Sequence, residues 1–377
     1  MNFNLSEEQL LLQDSVGRFV ADHCGVGQHR RLLATGAGFD AARWRQFADL
    51  GWLAVPFPEE QGGLGGSATD IMVLCEALGR GLVREPYLAT VVTCGAFLRL
   101  GGTEQQRARH IPAIIDGSEQ WAFACAENNS GYDLAAVDCE AVATAEGFRL
   151  SGSKIAVLNG HGADYLVVTA RTAGHRREEG GLTLFILATS LPGVELEPFT
   201  AVDGSRAANL QLDNVSVAAD SVLGVVGEAH PLVTAVIDQT IIAMGAEALG
   251  AMQVLLDTTV EYTRTREQFG QPIGKFQALQ HRMADMYLKV EETRSLLYNA
   301  VIRTDEGSPE APRACAALKV KLAEAGKFVS QQAVQLHGGI GMTDELVVGH
   351  HFKRLLLLAK LYGDEDYYLQ RYLSLAH

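Results

Sequence analysis

The sequence predicts an α+β protein, mostly α, in which an N-terminal helical domain, a middle β-domain (barrel or sandwich) and a C-terminal four-helix bundle follow one another. Three observations carry this. Apolar residues recur at helical spacing from Leu10 onward, the period turns to that of strands between about 121 and 223, and four long amphipathic runs fill the remainder. The boundaries expected from these changes are 1–118, 119–223 and 224–377.

The first helix opens at Ser6, which forms a capping box with Gln9 ahead of Leu10, Leu11, Val16, Phe19 and Val20. Residues 62–66, almost all glycine, read as a turn, and 69–82 is apolar enough for a buried helix. In the middle region, 165–170, 182–187 and 209–217 are rich in Val, Leu, Ile and Thr and are separated by Gly and Asp, as strands and their turns are. Beyond Gly224 the amphipathic runs 231–265, 277–304, 311–337 and 347–376 suit antiparallel helices packed as a bundle.

Length and charge narrow the function classes. A chain of 377 residues exceeds one hydrophobic core, so two or three structural units are expected. Its formal charge of -14 and pI near 5.2 argue against a nucleic-acid surface, so any polyanionic ligand has to be gripped locally. The six cysteines lack metal spacing, which predicts free thiols, no metal site and a reducing, cytoplasmic setting. No uninterrupted apolar stretch of about 18 residues predicts a membrane span.

Two helix breaks stand out. In Tyr262-Thr263-Arg264-Thr265-Arg266-Glu267-Gln268-Phe269-Gly270, followed by Gln271-Pro272, an arginine, an aromatic and a glycine–proline corner interrupt a helical pattern that resumes at Gln277. A guanidinium at a helix end beside a glycine can grip a pyrophosphate through paired hydrogen bonds, or form a surface ion pair with Glu267. The second break, Gln335-Leu336-His337-Gly338-Gly339-Ile340-Gly341, offers bare backbone that a ligand can approach closely.

Together the two breaks resemble the signature pair of the acyl-CoA dehydrogenase family. The likeness runs along nearly the whole chain and is nearest to small subunits of pimeloyl-CoA dehydrogenase type. It implies the family's fold and FAD as cofactor, with Arg266, Phe269, Gln277, Gln335, Gly338 and Gly339 holding the FAD of a neighbouring subunit. His337 reads as a packing residue. The implied partners are an acyl-CoA substrate, an electron-transfer flavoprotein, and further subunits in a homo- or hetero-tetramer.

The half that would hold this subunit's own flavin departs from the family pattern. The segment 123–133 keeps Glu127, Gly131 and Asp133 of the resembling loop, but Ala126 replaces the threonine that bonds the flavin ring, and Tyr132 replaces a serine. In 154–160, Ala156 replaces a tryptophan and Leu158 a threonine. A lost indole removes roughly 150–250 Å² of buried surface, which leaves a hole or a roomier pocket suited to a bulky or dicarboxylic acyl chain. Either backbone N–H groups still bind the ring, or the subunit holds little flavin of its own and lends Arg266, Gln335 and Gly339 to a partner's site.

Removing a proton beside a thioester carbonyl requires a carboxylate base. The resemblance places the family's usual glutamate at Asp364 when anchored from Gln370-Arg371, and at Gly363 when anchored from Arg354. Asp364 is the first candidate, its alternative being an acid at a helix N-terminus. Glu247, a lone acid in an apolar helical run, is the second, its alternative being an ion pair at a subunit contact. Thr240 matches more closely the position used by family members that carry their base on that helix. The expected activity is α,β-dehydrogenation of an acyl-CoA to the 2-enoyl-CoA; the alternative is a non-catalytic subunit completing a partner's FAD site.

Overall fold

A computed structural model of the chain describes residues 5–36 and 38–375. In order, the first helices are α1 (Glu7–His23), α2 (Val26–Thr35), α3 (Ala41–Asp49), α4 (Ala68–Arg80), α5 (Gly95–Gly101) and α6 (Glu104–Ile115). The strands β1 (Trp121–Ala124), β2 (Glu140–Ala143), β3 (Gly147–Leu158), β4 (Tyr165–Arg171), β5 (Leu182–Ala188), β6 (Val194–Thr200), β7 (Arg206–Ala218) and β8 (Val222–Leu223) follow. Helices α7 (Ala229–Thr265), α8 (Gln277–Asp305), α9 (Ala311–His337), α10 (Val347–Lys360) and α11 (Glu365–Ser374) complete it. The chain divides into a helical unit, Met1–Gly36 with Ser67–Val83 and Ile241–His377, and a sheet unit, Ala37–Gly66 with Arg84–Thr240.

Within the helical unit, the expected box at α1 is present: Gln9 N–H donates to Ser6 Oγ at 3.2 Å and Ser6 N–H to Gln9 Oε1 at 3.0 Å. At α4 the Ser67–Asp70 box is reinforced by Asp305, whose carboxylate accepts from Ala68 N–H at 2.8 Å and Thr69 N–H at 3.2 Å. A negative charge is stabilising where a helix presents its free N–H groups. Helix α7 is apolar and long enough to cross a membrane, yet 78% of its apolar window is buried inside the fold, as in a core helix.

Two glycines let α4 and α7 touch backbone to backbone. A Cβ on Gly79 would overlap the carbonyl of Glu247, and one on Gly250 would overlap that of Glu76. The run expected as the fourth bundle helix is two helices, α10 and α11. Between them Tyr362 (φ +57°) and Gly363 (φ +134°) take conformations no α-helix contains.

In the sheet unit the strands lie in the order β6-β7-β3-β2-β4-β5-β8, with β1 parallel to β4. Trp121, Leu166, Leu184, Phe185 and Leu210 are fully or almost fully buried, and β5, buried from Leu182 to Leu187, is covered on both faces. A π-helical turn, Tyr87–Cys94, is buried throughout, and its Thr90 Oγ1 accepts from Trp121 N–H at 3.0 Å, tying helix to strand.

Candidate functional site

Each unit carries its own share of the residues singled out by sequence. In the helical unit α7 ends at Thr265, and a two-residue ladder pairs β9 (Glu267–Gln268) with β10 (Gln271–Pro272) around Phe269 and Gly270. Phe269 occupies the left-handed region (φ +54°) and is 91% exposed, touching Phe276 edge-on at 6.1 Å. A bulky aromatic held in that backbone region and turned out into water is costly on both counts. Arg266 is exposed beside it, and among the described residues its guanidinium makes no ion pair, with Glu267 or any other acid. Gln277 is exposed at the start of α8.

A ring stack ties the helix leading to the first break to the second break. His337, buried at the end of α9, stacks on Tyr262 near the end of α7 with centroids 4.5 Å apart and planes 27° from parallel. Its Nδ1 lies 2.8 Å from the Ala333 carbonyl, and burial holds its pKa below the usual histidine value. His337 is thus a neutral packing residue that sets Gly338 and Gly339 near the arginine corner. Gly338 has φ +65°, both glycines are exposed, and nothing stands within 4 Å of where a Cβ would sit on either. Gln335 is exposed one turn earlier. An unpaired cation, an uncovered aromatic and an open glycine backbone form a surface that fits the phosphates and flat ring of a dinucleotide.

In the sheet unit the loop after β1 is anchored by a buried pair. Lys154 Nζ donates to Glu127 Oε1 at 2.7 Å and to Thr169 Oγ1 at 2.9 Å, while the Glu127 carboxylate accepts the N–H groups of Asp138 (2.7 Å) and Cys139 (3.0 Å). Arg171 fastens the same region, donating to the carbonyls of Ala135, Val137 and Arg176 among others. Ala126 accepts from Ile155 N–H at 2.8 Å, Leu158 is half-buried at the end of β3, and Ala156 is exposed in a bulge at φ +53°. The scaffold is firmly held, but positions 126, 156 and 158 offer no hydroxyl and no indole, so this part does not fit side-chain binding of a flavin ring.

The acids have structural employment. Glu247, on α7, receives Arg354 Nε at 2.5 Å and Nη2 at 2.9 Å on its two oxygens, both side chains being buried in the helical unit. Asp364 caps α11, accepting Tyr367 N–H at 3.2 Å, and pairs with Lys360 at 3.0 Å. The Lys360 ammonium, against the opposing effect of burial and with help from the Tyr367 N–H, holds its carboxyl below the ordinary aspartate range, the wrong direction for a base. Gly363 is crowded: a Cβ there would stand 2.3 Å from Cε2 of the buried Tyr368 and 2.7 Å from Cδ1 of Tyr367. Thr240, on α7, turns its hydroxyl back to the Val236 carbonyl at 2.9 Å.

Lys319, which sequence reasoning passed over, steadies this turn from below. Fully buried on α9, it donates to the Leu358 carbonyl at 2.5 Å, just before the end of α10. Burial, ahead of any charge, lowers its pKa from 10.5 to about 7. The unfolded chain then binds more protons than the folded one between those two values, so this group makes stability rise with pH there, by at most about 1.4 kcal/mol per pH unit. In urea unfolding at pH 7 to 9, Lys319→Met is expected to flatten that rise; an unchanged slope would assign it to other groups.

Comparison with known proteins places these features in a family setting. The N-terminal, middle and C-terminal domains of acyl-CoA dehydrogenase match residues 6–118, 122–215 and 231–371. The mitochondrial isovaleryl-CoA dehydrogenase of Arabidopsis thaliana is 32% identical over 365 residues, covering 94% of this chain and 87% of its own. Butyryl-CoA dehydrogenase from Megasphaera elsdenii superposes with a TM-score of 0.92 at 28% identity, over 99% of each chain. A chain of the ChsE4-ChsE5 complex from Mycobacterium tuberculosis gives 0.90 at 29% identity, over 98% of this chain and 97% of that one.

Proposed function

The chain belongs to the acyl-CoA dehydrogenase family of FAD-dependent oxidoreductases acting on CH–CH bonds, and on that premise we propose that it is a subunit of a hetero-tetrameric dehydrogenase, clasping the FAD of an adjoining chain. Arg266 grips the pyrophosphate, Gly338 and Gly339 admit it against backbone, Phe269 covers a flat face, and Gln277 and Gln335 supply amide contacts. The reaction is α,β-dehydrogenation of an acyl-CoA to the 2-enoyl-CoA. A carboxylate takes the α-proton, and FAD supplies the acceptor for the β-hydride before an electron-transfer flavoprotein takes the electrons.

The observation that carries this reading is the turn between α10 and α11. Position 363 is closed to any side chain, Asp364 is bound to Lys360 and the α11 backbone, and Glu247 is bound to Arg354. The carboxylate is therefore assigned to the partner chain. The small side chains at 126 and 156 favour a bulky or dicarboxylic acyl group, and the six free cysteines favour the cytoplasm. A second reading makes Asp364 this chain's own base, on the strength of its place in the turn.

Bound flavin distinguishes the two. The chain purified alone is expected to carry well under one FAD, read by absorbance near about 450 nm, and the co-assembled complex about one per partner chain. Arg266→Ala is expected to cut occupancy in the complex by about tenfold or more, as the loss of a charge-assisted contact does. Full flavin in the solitary protein, or an unaffected Arg266→Ala complex, overturns the proposal.

A further inference from the structure

Arg206 begins β7 in the sheet unit, opposite Thr200 of β6, and its carbonyl accepts Asn159 N–H at 2.8 Å. Its side chain is accommodated by two glycines. A Cβ on Gly38 (φ +77°) would overlap Arg206 Cγ, and one on Gly162 would stand 3.1 Å from Nη1 and 3.3 Å from Nη2. The guanidinium lies over the ring of Phe39, 5.5 Å from its centroid. The fold thus keeps two positions bare so that a cation can lie between an aromatic face and a backbone turn.

That cation meets no acid among the described residues. Its Nε is sealed from solvent with no hydrogen-bond partner, while the two amino nitrogens are not sealed. Among the described residues it forms no ion pair. Burial alone lowers its pKa, and no acid raises it. The neighbouring His161 is exposed and held neutral-leaning, by burial first and by Arg206 second, so it brings no negative charge either. Other arginines of this unit meet a counter-charge or carbonyl oxygens: Arg43 pairs with Glu85, Arg84 with Asp203, and Arg171 reaches carbonyl oxygens. A partly buried charge without a counter-charge or full hydrogen bonding is costly, and an oxyanion that takes the free N–H groups removes that cost.

We propose that Arg206, laid over Phe39 and against Gly162, is an anion subsite of the sheet unit that takes an oxyanion of the acyl-CoA ligand, either a carboxylate at the far end of the acyl chain or a phosphate of CoA. The assignment rests on the acyl-CoA reading above. Phe39 and the Gly162 backbone fix the plane of the guanidinium, so its free edge is preorganised for paired hydrogen bonds, which a lysine ammonium does not reproduce.

The test is calorimetric titration of the full-length chain with pimeloyl-CoA and heptanoyl-CoA, which differ in the terminal carboxylate. Arg206→Gln is expected to weaken pimeloyl-CoA by about tenfold or more. If heptanoyl-CoA binding is unchanged, the oxyanion is the acyl carboxylate; if both weaken alike, it is a CoA phosphate. A change under about twofold for both thioesters, or a wild-type chain that binds neither, overturns the proposal. Should Arg206→Gln not melt cooperatively, Arg206→Lys decides by the same thresholds. Flavin occupancy is read separately, so failure here and failure of the FAD-clasping reading are told apart.

Discussion

Arg354→Ala is expected to destabilise the chain by about 3–5 kcal/mol, because it leaves the Glu247 carboxylate buried with both oxygens deprived of their N–H donors. Replacing both partners by apolar residues of similar size, Glu247→Leu with Arg354→Met, is expected to recover most of the loss, since neither charge then remains buried alone. Urea unfolding of the two single variants and the double one measures this as a cycle. A loss below about 1 kcal/mol in Arg354→Ala, the range of an exposed pair, would mean that water reaches the acid. The same variants bear on catalysis. A Glu247→Gln assembly that folds normally yet turns over about a hundredfold more slowly, the scale of lost base catalysis, would return Glu247 to the role of base.

Gly79→Ala is expected to cost about 3 kcal/mol or more, despite being the smallest substitution available. Its new methyl would overlap the Glu247 carbonyl and lie 2.8 Å from the Glu247 Cα, and backbone in the middle of a buried helix has nowhere to retreat. Helices α4 and α7 would have to separate, taking Glu247 away from Arg354. Gly250→Ala should behave alike, since its methyl meets the Glu76 carbonyl and the Arg80 nitrogen at 3.0 Å. Thermal melting checks both. A melting temperature within about 2 °C of wild type would show that the crossing is looser than drawn. Gly339→Ala is the control: open space surrounds its position, and its φ is not positive.

Much of the architecture is written in local pattern. The period of the apolar residues marks the helices and strands, Ser6 with Gln9 announces the first cap, and the Arg266–Gly270 corner is recognisable in sequence as a break with a purpose. What local pattern does not carry is partnership at a distance. Glu247 finds Arg354 107 residues away, and nothing near either announces the other. Sequence leaves Gly363 and Asp364 as alternative occupants of one position. Their surroundings differ in ways local pattern does not show: Gly363 lies against the ring of Tyr368, and Asp364 caps the first turn of α11. Arg206 attracts no notice in sequence for the same reason: a missing counter-charge is visible only when every neighbour is known.

The closed position at Gly363 has a consequence for the history open to this chain. A single codon change to glutamate or aspartate would drive the new side chain into Tyr368, whose hydroxyl also holds the Tyr362 carbonyl at 3.1 Å. An acid could be placed there only with that tyrosine replaced by something smaller. On the proposed reading the carboxylate comes from a companion chain, and Tyr368 keeps position 363 shut against one of this chain's own.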